Sequence, residues 1–464
     1  MTRGIAVLFL GCALVLQAAE ADPDGATRLH WAAYNDDIAA ARKLIDTGAD
    51  VKAANRYGLT PLSLACTNGS AEMTRLLLEA GADANAALPG GETPLMTAAR
   101  SGNAAVVKLL LAHGAKVDPR EDRHGQTALM WAAAEGHVDV VKALMAAGAD
   151  IRARLASGFT PLLFAVREGQ PGVVKVLLDA GLDVNEPVPA PHAGTKRPRG
   201  SPAIGSTALH IAVANAHFEL AAMLLDRGAN PNADGPGYTP LHILPSIRKS
   251  GGGDNDPSPE GSGSMGSLEF LKVIVAKGAN LNARMTRKVA FGLTSLNTRG
   301  ATPFLLASRT ADAELMRALA ALGADPNIPN ADGANAMIVA AGLGTRSPGE
   351  DAGTEAEVVE ALQAALDLGV DINAVDNNGE TAMHGAAYKN LPGAVEFLAA
   401  HGAKLEVWNR RNKFGWTPLI IAEGYRFGNY KPSPETVAAF RKIMVTAGVW
   451  DNRETHGQNI SDYK

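Results

Sequence analysis

Residues Gly125 to Asp150 read G-Q-T-A-L-M-W-A-A-A-E-G-H-V-D-V-V-K-A-L-M-A-A-G-A-D. Gly125 stands where a β-turn needs a positive φ, which glycine adopts without steric cost. Thr127 is a helix N-cap, its hydroxyl able to accept an N–H left over in the first turn. Ala132 and Ala133 are small enough for a neighbouring helix to come close. Gly136 and His137 break this helix. Val140, Val141 and Leu144 then recur at helical spacing, so a second helix has one apolar face. Gly148 ends it as a left-handed cap. Two short helices with one apolar side cannot bury that side alone, so copies are needed on either side.

The copies are present. Aligned on the capping residue, they fall at 27, 60, 93, 127, 160, 207, 239, 302, 335, 381 and 417. Ten of these are Thr; the ninth is Asn335, also a good N-cap. Two residues before each lies a glycine: Gly25, Gly58, Gly91, Gly125, Gly158, Gly205, Gly237, Gly300, Gly333, Gly379 and Gly415. Pro follows the cap at Pro61, Pro94, Pro161, Pro240, Pro303 and Pro418, the helix position where a missing N–H costs nothing. The second helix ends in Gly-Ala-Asp or a close variant each time.

This pattern resembles the ankyrin repeat family, over about residues 25–450. The resemblance implies an all-α fold: an ankyrin-repeat α-solenoid with short β-hairpin fingers, first helices (A) on the concave side and second helices (B) on the convex side. It implies binding of another protein by a monomer, with no catalysis and no cofactor. Family binding residues cluster around the glycine ahead of the cap and after the small pair of helix A. Carried over by position, these are Arg56, Tyr57, Leu59, Arg123, His124, Phe159, Tyr238, Arg299, Phe414 and Trp416, and, after the small pair, Tyr34, Arg100, Glu135, Arg167 and Tyr388. They are expected to be exposed. Tyr, Trp and Arg dominate interface energetics.

Composition agrees. Aromatic residues are 5% of the chain, and the formal net charge is −5 with both signs mixed. Bulk electrostatics therefore gives no case for nucleic acid or an anionic membrane as partner. Basic residues do collect toward the fingers, with acidic interruptions at Glu121 and Asp122. Cys66 takes the place of a small residue in helix A and reads as a small buried hydrophobe.

Insertions interrupt the period at two kinds of place. Glu186–Pro202, Arg284–Asn297 and Asn409–Phe414 lengthen fingers. Ser246–Gly266, Gly342–Gly353 and Gly424–Pro434 part helix A from helix B. Ser250–Ser267 is Gly, Ser, Asp and Pro, a composition expected to be disordered. Its Gly261-Ser262-Gly263-Ser264-Met265-Gly266 matches G-x-G-x-x-G, but no strand feeds it, so a linker is expected rather than a nucleotide site. His30, His210, His242 and His384 each lie three residues after a cap in separate repeats. They are expected to hydrogen-bond near the turn, not to bind metal. The alternative function is an enzyme or ligand-binding protein with its site in the inserted loops 186–202 and 284–297.

Arg3, the apolar run Ile5–Leu16 and Ala19-Glu20-Ala21 form a signal-peptide pattern over residues 1–21, with a solenoid over 22–450 and a polar tail at 451–464. This predicts a periplasmic or secreted protein, with no membrane contact after cleavage. The mature chain is expected to begin at Asp22, which intact-mass measurement reads directly. A dominant species starting at Met1, or lipidated on Cys12, contradicts export by this route.

Overall fold

The computed structural model describes residues 22–191, 196–198, 200–250, 258–292, 294–425 and 431–449. The expected leader and polar tail lie outside them. The described residues carry eleven helix pairs, from Arg28–Tyr34 with Ile38–Asp46 to Pro418–Ala422 with Pro434–Thr446. The chain divides into two compact units. One comprises Met1–Asp183 with Pro191–Pro202 and holds repeats one to five. The other comprises Val184–Ala190 with Ala203–Lys464 and holds repeats six to eleven.

Within each unit, helix A packs on the helix A of the next repeat and helix B on the next helix B. The central repeat shows why. Ala128–Ala134 buries Leu129, Met130, Ala132 and Ala133, and Val138–Ala146 buries Val140, Val141 and Leu144. The position of Leu144 recurs as a buried column: Leu77, Leu110 and Leu177 in the first unit, Leu224, Leu319 and Leu398 in the second. Truncating such a leucine to alanine costs about 2–5 kcal/mol. The caps form as the sequence predicts. Thr60, Thr93, Thr127, Thr160, Thr302 and Thr417 accept the N–H three residues on, and so does Asn335. Cys66 is fully buried, and burial pushes its thiol up to about 12.

The fingers are turns rather than strands. The Asn55 finger is closed by Asn55 N–H to Leu59 O (3.0 Å) and Gly58 N–H to Asn55 O (2.9 Å), and the Asn330 finger by Asn330 N–H to Ala334 O and Gly333 N–H to Asn330 O, both at 3.1 Å. No strand forms among the described residues; one antiparallel bridge joins Thr294 and Thr345.

Three inserted segments are tied into the helices. Residues 251–257 lie outside the described part, but the expectation of disorder fails for the glycine-rich turn at 261–266. The N–H and hydroxyl of Ser264 and the N–H of Met265 all donate to Glu219 Oε1, at 2.8, 2.8 and 3.2 Å. The turn thus holds a carboxylate of this chain. In the insertion after repeat nine's helix A, Asp351 accepts from Thr345 Oγ1 (2.8 Å) and pairs with the buried Arg309 (3.4 Å), while Lys389 Nζ donates to Ala352 O. The finger of repeat eleven opens with a short helix, Leu405–Trp408, whose Trp408 is buried against Phe440.

All four histidines bond to their own cap, and three also reach the neighbouring repeat. The backbone N–H of Thr27, Thr207, Thr239 and Thr381 donates to Nδ1 of His30, His210, His242 and His384, at 3.0–3.2 Å. Nδ1 is therefore an acceptor, and Nε2 carries the proton. It donates to Leu59 O from His30, to Tyr238 O from His210, and to Ala283 O and Ala301 O from His242. Burial pushes His210, His242 and His384 down to about 4.

An unfolded histidine protonates near pH 6.5. Between pH 6.5 and 4 the unfolded chain therefore binds more protons, so stability is intact above that window and falls as pH drops through it. Glu380 acts oppositely: burial raises it to about 7, so acid favours its folded, neutral form. Three histidines outweigh it. Each is expected to cost about 1–2 kcal/mol by pH 5. The urea midpoint of repeats six to eleven should be clearly lower at pH 5 than at pH 7. A midpoint unchanged or raised at pH 5 would overturn this.

Candidate protein-binding face

In the first unit the fingers and the A helices meet along one groove. These elements carry arginines laid on aromatic rings. The Arg56 guanidinium lies 4.7 Å from the Tyr57 ring centre and pairs with Asp24 at 2.7 Å. Arg100 lies 5.2 Å from the Trp131 ring and pairs with Glu92 at 3.2 Å. Arg167 lies 4.8 and 5.0 Å from the stacked rings of Phe159 and Phe164. Trp31 and Tyr34 meet edge to face at 5.9 Å. A cation over a ring is worth about 0.5–1 kcal/mol when exposed and more once water is excluded.

A groove of about 630 Å³ runs between Arg56 and Tyr57 on one side and Arg123 and His124 on the other, with Trp131 on its wall. Glu121 builds this finger. Its carboxylate accepts from the backbone N–H of Arg123 (2.7 Å), His124 (2.8 Å) and Gln126 (3.0 Å). Burial alone would raise it; the N–H bonds of Gln126, Arg123 and His124 outweigh that and hold it below the ordinary range. The acid that interrupts the basic rim in sequence is thus the brace that projects Arg123 and His124. Trp131 Nε1 is buried and has no hydrogen-bond partner among the described residues. A buried donor left unmade costs about 1–3 kcal/mol.

These repeats match known models. Ankyrin repeats (3 copies) match residues 5–88, 85–155 and 352–431, and the single ankyrin repeat matches 157–187 and 204–235. The chain belongs to the ankyrin repeat family. Over 219 residues it is 36% identical to human ankyrin repeat and SOCS box protein 16, covering 47% of this chain and 40% of that one. Over 71 residues it is 34% identical to a glycerophosphocholine phosphodiesterase of Candida albicans, 15% of this chain and 6% of that one. The chain thus spans less than half the length of either relative. Ankyrin repeats are protein–protein interaction scaffolds.

The fifteen residues carried over from the family divide by exposure. Tyr34, Arg56, Tyr57, Arg100, Arg123, His124, Glu135, Arg299 and Phe414 are exposed. Leu59, Arg167 and Tyr238 are half-buried. The expectation of exposure fails for Phe159, Tyr388 and Trp416, which are 6%, 9% and 6% accessible. The reason is local. Phe159 follows its glycine directly and folds back onto Phe164. Trp416 turns inward at the same position in the last ankyrin repeat, against Phe414. The Tyr388 hydroxyl is held by Glu380 Oε1 at 3.1 Å.

Trp131 is the member that position-by-position transfer missed. It sits four residues after the cap, as Trp31 does, one turn before the position carried over at Tyr34 and Arg100. A bulky aromatic there faces the groove because residues one turn apart share a helix face. Single alanine substitutions separate the two classes. Phe159→Ala and Trp416→Ala should each cost about 3–5 kcal/mol. Tyr57→Ala and Arg123→Ala should stay within about 0.5 kcal/mol. Denaturant titration of the full chain checks both, and equal effects across the four would contradict the division.

Proposed function

We propose that this ankyrin repeat chain is a non-catalytic scaffold that holds a partner protein against the groove of repeats two to four. We further propose that it does so outside the cytoplasm after removal of residues 1–21. The observation that carries the reading is Trp131: a large ring under Arg100, its N–H buried and unmatched, on the wall of an open groove. A partner's backbone carbonyl would complete that N–H, and exclusion of water would strengthen the stacked Arg100. Arg123 makes no ion pair among the described residues and offers a charge to a partner carboxylate. The absence of catalysis is supported by the histidines: in His30, His210 and His242 both ring nitrogens are engaged with the chain itself. No helix among the described residues is long and apolar enough to cross a membrane.

The test is a partner captured by the full chain and identified by mass spectrometry, with affinities then measured for variants. Trp131→Phe keeps an aromatic ring but removes the N–H together with part of the indole; it should weaken binding about tenfold or more. Tyr57→Ala with Arg123→Ala should weaken it further, since central aromatic and arginine contacts cost roughly 2 kcal/mol or more each. If the captured partner binds all of these as tightly as the parent, this groove is not the interface.

A further inference from the structure

The second unit contains a separate cleft, of about 200 Å³, between the end of the inserted finger loop at Leu296 and Asn297 and the fingers of repeats nine to eleven. It is lined by three carboxylates, Asp332, Asp376 and Glu380, and walled by Leu296, Leu343 and Phe414. Glu380 is 3% accessible. Its Oε1 accepts from Tyr388 OH at 3.1 Å and Asn412 Nδ2 at 2.9 Å. Its Oε2 is buried and has no hydrogen-bond partner among the described residues. The other two acids are occupied. Asp376 accepts the N–H groups of Asn378 and Glu380, both at 2.8 Å, and Asp332 accepts from Asn297 Nδ2 at 2.9 Å. Lys413, the cation at the cleft, donates to Asn378 Oδ1 at 2.6 Å rather than to Glu380 Oε2.

A buried carboxylate oxygen left without a donor is costly, and it is costlier beside two more acids. The deficit is for a cation that also brings N–H donors. No group of three or more His, Cys, Asp or Glu among the described residues is placed to hold a metal ion. An ammonium is a strongly hydrated point charge. A guanidinium is planar, more weakly hydrated, and stacks on aromatic and apolar walls while its N–H fork meets a carboxylate. We infer that this cleft binds a guanidinium group, presented as an arginine side chain of a partner polypeptide and anchored on Glu380 Oε2. The three carboxylates would repel the α-carboxylate of free arginine, which favours the polypeptide source. This inference does not rest on the groove of repeats two to four.

The groups facing Glu380 set its pH response. Burial raises its carboxyl to about 7 and Asp376 adds to this, while Tyr388, Asn412 and Lys413 oppose. Burial also raises Asp376, with Asp332 adding to it. Near neutral pH part of Glu380 is therefore protonated. A guanidinium selects the ionised form, so binding should release a proton and strengthen from pH 6 to pH 8.

Titration calorimetry of the full chain tests this with four probes: N-acetyl-arginine amide, N-acetyl-lysine amide, N-acetyl-citrulline amide and free arginine. The arginine amide should bind about tenfold or more tighter than the uncharged citrulline amide. It should also bind tighter than the lysine amide and than free arginine, with proton release seen as a dependence of the heat on buffer ionisation. Glu380→Gln should abolish both the preference and the proton release, and Asp332→Asn should weaken binding several-fold with the melting curve unchanged. Three results would each overturn the inference: citrulline binding as well as arginine, lysine binding equally, or no probe binding at all. Free arginine binding as tightly as the amide would overturn the polypeptide source alone.

Discussion

No ankyrin repeat in this chain can satisfy its own backbone. The fold depends on hydrogen bonds that each repeat lends to the next. The finger of one repeat donates a backbone N–H to a carbonyl of the finger before it: Arg56 to Asp24 and Asp122 to Gly90 in the first unit, Ala331 to Arg299, Asn377 to Asp332 and Lys413 to Asn378 in the second, all at 2.8–2.9 Å. Pro89 breaks the series, having no N–H to give. Its ring packs instead on Gly58, where a Cβ would lie 2.5 Å from Pro89 Cδ. A second set of bonds joins the ends of the B helices. Asn85 Nδ2 donates to Gly114 O and Asn85 Oδ1 accepts Lys116 N–H. Asn232 does the same with Gly278 and Asn280, and Asn373 with Gly402 and Lys404. One amide caps a helix end and fixes the chain beyond it, because asparagine alone of the short side chains offers donor and acceptor in one plane.

That arrangement explains how long insertions are tolerated. The stacking bonds run through helix ends and turn glycines, so a segment inserted between them disturbs neither. It must still match its own polar groups. The glycine-rich turn does so through Glu219, whose carboxyl the bonds from Ser264 hold below the ordinary range. The start of the repeat-seven insertion does so with charges. Arg248 pairs with Asp312 and Glu314 at 2.6 and 2.7 Å, and Lys249 with Glu357 at 2.7 Å. Pairs of this kind offset their own desolvation at best. Their consequence is geometric: they fix where the inserted backbone lies.

The sequence made the repeat visible because a turn glycine, an N-cap and a C-cap glycine have requirements that are local to a few residues. The histidines were readable for the same reason, since the cap N–H and the ring lie three residues apart. Exposure was less readable. Phe159 and Tyr57 stand at neighbouring positions around equivalent glycines, yet one folds onto Phe164 and the other points away. What decides between them is the nearest partner: Phe159 meets Phe164 in helix A of its own repeat, whereas Tyr57 meets the neighbouring Arg56 side chain. Trp408 is hidden in the same way, its burial depending on Phe440 more than thirty residues on. Glu121 looked like an interruption of a basic rim because sequence shows its charge and not the three N–H groups around it.

The two candidate sites arise from one rule. A repeat protein satisfies its polar groups by passing each deficit to the neighbour, and in a regular stack the neighbour always has the complement. Some deficits remain among the described residues, and Trp131 Nε1 and Glu380 Oε2 are the two on residues that line the groove and the cleft. Trp131 puts an indole N–H at a position that is Thr97 in the previous repeat, where a hydroxyl reaches both Glu92 and the backbone carbonyl of Thr93. Glu380 puts a carboxylate at a finger position occupied by Leu59 and Ala334 in other repeats, where nothing needs a donor. In both cases the substituted group is larger in polar demand than the framework was built to meet. Selection against a buried unmatched group acts on stability, at about 1–3 kcal/mol for each. The two that lie on residues lining a groove or a cleft are the ones a partner could reach, which is the ground on which both binding proposals rest.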